Sequence, residues 1–218
     1  MRGLIVTATV TTPVVVTHSP GWIALDSLLA AAAIGGEEYR MPSLAHEVVV
    51  IEIPGLLCAW RNDNGLPLWA ASVLRPVTPF VAREYAHRRY PAHRADMSRK
   101  ASANTSAGQY KEYRKPLRTV LSQTWQATAV GDRAQIKALL DGITAIGARR
   151  GAGYGSVHCW DVAEVDAVTL QTVCANRVMP SRVGLSIVSS APLRVCGWTP
   201  PYSHAPWHTA CVEPSPCF

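Results

Sequence analysis

The sequence predicts an α+β fold of β-α-β-β-α-β order, on three observations. A Val-, Ile- and Thr-rich segment opens the chain, two later segments carry apolar residues at helical spacing, and a further apolar segment follows the second of these. With helices on one face of an antiparallel sheet, that order is the ferredoxin-like (RRM-like) sandwich, a match that an extra hairpin keeps from being unique. The expected division is a domain over residues 1–178, carrying a basic insertion at about 75–116, and an extended Pro-rich C-terminal tail over 179–218 that packs on the domain.

Each element has its own signal. Leu4 to Val16 favours a strand, bent at Pro13. Leu25, Leu28, Leu29 and Ala32 fall on one helical face, closed by Gly35-Gly36. Val48 to Ile53 is a short apolar strand ended by Pro54-Gly55. Leu57 to Arg61 and Leu68 to Leu74 flank Asn62-Asp63-Asn64-Gly65, which predicts a hairpin. From Arg75 to Pro116 apolar periodicity gives way to cations, tyrosines and small polar residues, predicting a long, partly mobile insertion. Leu117 to Val130 alternates as a strand. Asp132 with Gln135 forms a helix-opening pair, Ile136, Leu139, Leu140 and Ile143 make an apolar stripe, and Gly147 ends it. Ser156 to Val162 is the last strand of the domain. Beyond Met179 the prolines predict an extended course over the domain surface.

At 218 residues and 48% apolar, the chain can bury a sizeable core, which excludes wholesale disorder. The net charge of +6 is unevenly spread. Arg75 to Arg118 holds eleven Lys/Arg against three Asp/Glu, whereas the rest of the chain holds ten against twelve. A basic block on a near-neutral scaffold implies a polyanionic partner, because clustered like charges repel until something neutralises them. Six cysteines without a CxxC pair read as small buried or tail thiols in a reducing compartment. Leu28 to Ala33 lacks the charged leader of a secretory segment and has Asp26 at its edge, and no run is long enough to span a membrane; a cytoplasmic protein is expected.

The loop Gly147-Ala148-Arg149-Arg150-Gly151-Ala152-Gly153-Tyr154-Gly155 joins the second helix to the last strand. Gly151, Gly153 and Gly155 lack Cβ atoms, so phosphates can approach main-chain N–H groups closely. Arg149 and Arg150 add forked donors for phosphate oxygens, and Tyr154 is suited either to stacking on a base or to packing on the sheet. A dinucleotide fingerprint follows a strand, whereas this loop follows a helix, and the phosphate-binding lysine of the P-loop is absent. The competing reading is a plain helix-to-strand connection.

The insertion repeats the same chemistry. Arg83, Arg88, Arg89, Arg94, Arg99 and Lys100 are interleaved with Tyr85 and Tyr90, and Lys111, Tyr113, Arg114 and Lys115 form a second cluster. Cations for phosphates with aromatics for bases is the combination that binds single-stranded nucleic acid. About four phosphate contacts would give a salt slope of about −2.8, or roughly fifty-fold weaker binding between about 50 and 200 mM salt. A solvated loop that merely confers solubility, or an acidic protein partner, are the alternatives.

These pieces together resemble the RAMP proteins of class 1 CRISPR effector complexes, and more narrowly the type IV subunit that binds the guide RNA 5′ handle. The likeness rests on Trp22-Ile23-Ala24-Leu25-Asp26-Ser27-Leu28-Leu29-Ala30, Pro67-Leu68-Trp69-Ala70-Ala71-Ser72, Arg150-Gly151-Ala152-Gly153-Tyr154-Gly155 and Gly197-Trp198-Thr199-Pro200-Pro201-Tyr202. It implies a noncatalytic subunit that binds guide RNA (crRNA), caps the backbone filament, extends a thumb onto the backbone RAMP subunit, and contacts the large subunit. Arg75 to Pro116 would be the thumb. Direct contact with target DNA stays open.

Two further readings follow from the histidines and cysteines. A RAMP-type endoribonuclease would use a histidine for proton transfer, with His18 the first candidate and His46, His87 and His93 behind it. No carboxylate pair or Ser/His/Asp order supports any of them. A protein-only interaction module is the second alternative. His204, His208 and Cys211, flanked by Cys196 and Cys217, have zinc-ligand chemistry but no paired-cysteine knuckle, so neither metal nor other cofactor is expected.

Overall fold

The computed structural model describes residues 1–16, 23–35, 50–89, 112–184 and 193–214. In chain order the elements are β1 (Arg2–Val10), β2 (Val14–Val15), β3 (Ile23–Ala24), α1 (Leu25–Ala33), β4 (Cys58–Arg61), β5 (Pro67–Trp69), β6 (Val73–Pro76), β7 (Phe80–Arg88), β8 (Tyr113–Leu121) and β9 (Thr124–Gly131). Then come α2 (Arg133–Asp141), β10 (Val157–Glu164), α3 (Leu170–Ala175), β11 (Met179–Pro180), α4 (Ser181–Gly184), β12 (Leu193–Cys196) and β13 (Thr209–Val212). The protein is mixed α/β, rich in sheet, with mostly antiparallel pairing.

The main sheet runs β10-β1-β9-β6-β3, antiparallel at each junction. Its core face follows from alternation: Leu4, Val6, Ala8 and Val10 of β1 are buried, as are Trp125, Ala127 and Ala129 of β9. Leu25, Leu29 and Ala30 of α1 and Ile136 and Leu140 of α2 close over that face in the same cluster, and the two helices touch. The Asp132 side chain accepts the Gln135 N–H, as the helix-opening pair predicts.

Several predicted boundaries shift, each for a local reason. Thr11 to Pro13 divides the Leu4–Val16 segment into β1 and β2, and Ser122-Gln123 divides Leu117–Val130 into β8 and β9. Residues 50–53 form no strand, and the rest of the Val48–Ile53 segment lies outside the described residues. The hairpin at Asn62–Gly65 forms, with the Asn62 carboxamide accepting from Asn64 and Leu66, but its second strand ends at Trp69. Helix α2 stops at Asp141, capped by Gly142 rather than Gly147. The flanks of the Arg75–Pro116 segment are not irregular: β7 and β8 pair in register from Phe80↔Leu121 to Arg88↔Tyr113. Charged side chains hide the strand signal there because both faces of the ladder are largely solvated.

The C-terminal segment is likewise no extended tail. β11, β13 and β12 form a three-stranded antiparallel sheet over a second apolar cluster that includes Leu66, Leu68, Cys174, Met179, Trp198 and Cys211. Its prolines occupy the strand end at Pro180 and the turns around Pro200, Pro201 and Pro206, where they break no interior ladder. A buried polar cluster joins this sheet to α1. Arg177 donates to Asp26 at 3.1 Å, to the Trp198 carbonyl at 2.7 Å and to the Trp69 carbonyl, while the Tyr202 hydroxyl donates to Asp26 at 2.9 Å. Burial pushes the Asp26 carboxyl up, opposed by the Arg177 charge and the Tyr202 bond.

Candidate nucleic-acid interface

The glycine-rich loop is fastened to the corner between β1 and β2. Ala148 N donates to Val15 O (2.9 Å), Gly155 N to Pro13 O (2.9 Å) and Ser156 N to the Thr12 hydroxyl (2.9 Å). Since β2 pairs with β8, and β8 with β7, the loop and the basic hairpin belong to one continuous structure.

The predicted glycines divide by role. A Cβ on Gly155, at φ +70°, would lie 1.9 Å from the Ile146 carbonyl, so this glycine is required by the fold. Gly151 and Gly153 meet nothing within 4 Å, which leaves their surface open to a ligand. Arg149 adopts φ 61°, the one positive φ at a non-glycine among the described residues. Left-handed backbone disfavours an L side chain by about 1–2 kcal/mol. Arg149 and Arg150 are exposed, and neither forms an ion pair among the described residues.

Register sorts the hairpin side chains onto two faces, because directly paired residues share a face. Arg83↔Arg118, Tyr85↔Pro116 and His87↔Arg114 share one; Glu84↔Leu117, Ala86↔Lys115 and Arg88↔Tyr113 share the other. On the first face the Arg114 guanidinium lies 4.0 Å from the Tyr85 ring centroid, a cation–π contact that orients both. On the second, the Tyr154 hydroxyl of the loop donates to Glu84 at 2.6 Å. That bond pushes the Tyr154 phenol up from its usual range. Of the two uses predicted for Tyr154, its hydroxyl is engaged by the hairpin. Sequence reading passed over Glu84 as one of three acids in a basic block; only the fold brings it to the loop.

Exposed Arg83, Arg88, Arg89, Tyr113, Arg114 and Lys115 thus surround the hairpin, while Tyr90, Arg94, Arg99, Lys100 and Lys111 lie outside the described residues. So do His18, His46 and His93. His87 is exposed on β7, its ring 6.3 Å from that of Tyr85. Among the described residues no group of three or more His, Cys, Asp or Glu is placed to hold a metal. His208 Nε2 meets the Tyr202 carbonyl at 3.0 Å, and His204 packs edge-on against Trp207. The hydrogen bond to Cys196, with burial, pushes the Cys211 thiol up; Cys217 lies outside the described residues. Among those residues no helix is long and apolar enough to cross a membrane.

The fold and site define a mixed α/β, largely antiparallel protein in which an exposed basic hairpin is tied to a glycine-rich loop. The chain belongs to the family CRISPR type IV associated protein Csf3, which it matches over residues 81–211, a span that holds the hairpin, the loop and most of the C-terminal sheet. It is thereby a component of a type IV CRISPR complex, associated with other subunits of that complex. No curated protein matches the chain.

Proposed function

We propose that this protein is a noncatalytic guide-RNA-binding subunit of its type IV complex, with the 5′ handle seated between the glycine-rich loop and the basic hairpin. The observation that carries the reading is the Tyr154–Glu84 bond, which unites two separately basic segments into one surface. The fold supports it: the sheet order β10-β1-β9-β6, with α1 and α2 on one face, agrees with a ferredoxin-like RAMP domain over residues 1–178, to which β3 adds an edge strand. Arg149 supports it too, since it combines a left-handed backbone, which carries a conformational cost, with an exposed cation that forms no ion pair among the described residues. Arg149, Arg150, Lys115 and Arg88 supply phosphate contacts on the side that meets the loop, and Arg89 extends the track at the end of the strand, while Arg83 and Arg114 offer cations on the other face of the hairpin. Tyr113 and Tyr85 offer stacking surfaces, while Gly151 and Gly153 let the backbone approach. Tyr90, Arg94, Arg99, Lys100 and Lys111 continue the same basic segment. In this role the hairpin is the thumb that reaches the backbone subunit, and the remaining surface meets the large subunit.

The test is co-expression with the genomic neighbours followed by extraction and sequencing of bound RNA. A defined RNA of guide length is expected from the wild-type particle. Arg149→Ala with Arg150→Ala should lose that RNA from a folded protein, and undiminished RNA occupancy refutes the seat.

A further inference from the structure

A second site lies on the opposite face of the main sheet from α1 and α2. Ile5, Ser72, Val73, Arg75, Gln126, Ala127, Thr128 and Asn176 line a pocket of about 160 Å³. Register explains how they meet. Ile5 pairs with Thr128, and Arg75 with Gln126, so these four side chains project from adjacent strands onto one face. The main chain of Asn176, following α3, binds Val73 N at 2.9 Å and closes one side.

Arg75 is the anomaly within this pocket. Its Nε and Nη2 are buried from solvent and have no hydrogen-bond partner among the described residues. By contrast, buried Arg177 satisfies its donors with Asp26 and four main-chain carbonyls. An orphaned cationic donor is expensive, and any acceptor that reaches it recovers that cost. Nε and Nη2 also form one edge of the guanidinium, with their N–H bonds parallel, the geometry that grips two oxygens of one anion.

We propose that this pocket receives a carboxylate, supplied as an Asp or Glu side chain by a neighbouring protein chain of the complex. One fork and one positive charge match one monoanion. Nucleic-acid phosphate is less well served, because among the described residues Arg75 is the only cation lining the pocket and a phosphate track calls for several. Ile5, Val73 and Ala127 provide apolar wall for the methylene stem of an acidic residue, and the Thr128 hydroxyl adds a donor, while the Ser72 hydroxyl and the Gln126 and Asn176 amides already donate to Val73 O, Thr7 and Thr172 O. Exposed Gln126 sits directly opposite Arg75, its amide donating to the Thr7 hydroxyl at 3.3 Å, and because Nε and Nη2 are closed to solvent the carboxylate enters only as the pocket wall shifts.

The site is probed by following the Arg75 Nε–H resonance of the full-length protein during titration with propionate, and separately with inorganic phosphate, at matched ionic strength. Saturable propionate binding stronger than phosphate binding is expected, weakened about tenfold in Arg75→Lys, which keeps the charge but loses the fork. Equal or stronger phosphate binding, or no saturable shift with either anion, overturns the proposal. Arg75→Met should fold with an undiminished Tm, and a clear fall in Tm would mark Arg75 as structural and overturn it as well. In the co-expressed particle, Arg75→Lys should loosen a protein subunit by about tenfold while bound RNA is unchanged. Loss of RNA with all subunits retained also overturns it, and neither result bears on the seat at Arg149 and Arg150.

Discussion

The Tyr154 hydroxyl of the glycine-rich loop donates to the Glu84 carboxylate on β7 across 2.6 Å, linking residues seventy positions apart. Glu84 thus lies on the hairpin face that meets the loop, where the bond to Tyr154 engages its carboxylate, while Arg83 and Arg114 lie on the other face. Tyr154→Phe should weaken RNA binding by releasing the hairpin from the loop. The bond is partly exposed, so stability should fall by no more than about 1 kcal/mol, a Tm change of at most about 4 °C in thermal melts. Unchanged RNA affinity would mean that the two parts act separately.

The same bond predicts a pH signature. Donation to Glu84 raises the Tyr154 pKa above its ordinary value of 10.0. The stability it contributes is therefore complete below that value and is lost as pH rises through the folded-state value. In an alkaline titration followed by tyrosinate absorbance or NMR, one of the seven tyrosines should ionise later than an unperturbed one. Glu84→Gln should bring it back toward the ordinary range.

Gly155 and Gly151 should respond in opposite ways. Gly155→Ala drives a Cβ into the Ile146 carbonyl at a positive φ, and should destabilise the fold by more than about 2 kcal/mol in denaturant melts. Gly151→Val meets open space, so the melt should be unchanged while RNA retention falls. Normal RNA retention by Gly151→Val would remove close backbone approach from the account.

Salt dependence measures how many cations touch phosphate. With about four contacts the slope of log affinity against log salt is about −2.8, and removing Arg149 and Arg150 together should flatten it by about 1.4. A slope unaltered by the double substitution places those cations off the RNA.

The buried cluster at Asp26 should govern attachment of the C-terminal sheet. Asp26→Ala leaves the Arg177 charge uncompensated, at a cost of about 3–5 kcal/mol. Tyr202→Phe removes one hydrogen bond and should cost about 1 kcal/mol. Limited proteolysis should then cut Asp26→Ala between β11 and β13 before it cuts the main sheet.

Residue order by itself determined the local elements that rest on contiguous signals. The alternation at Leu4, Val6, Ala8 and Val10, the Asp132–Gln135 cap and the Asn62–Gly65 turn are each written within a few residues, and all formed. The concentration of cations at Arg75 to Arg118 was equally legible, because charge density needs no fold to be counted. Tertiary structure alone decided the rest. The β7–β8 ladder is stabilised by pairing across a long gap in sequence, which periodicity cannot register when both faces carry polar side chains. The C-terminal sheet depends on Leu66 and Leu68, more than a hundred residues from β11, to complete its core. Likewise Glu84 beside Tyr154, Asp26 beside Arg177, and the orphaned edge of Arg75 arise from juxtaposition, since hydrogen bonds act over a few ångströms and are blind to separation along the chain.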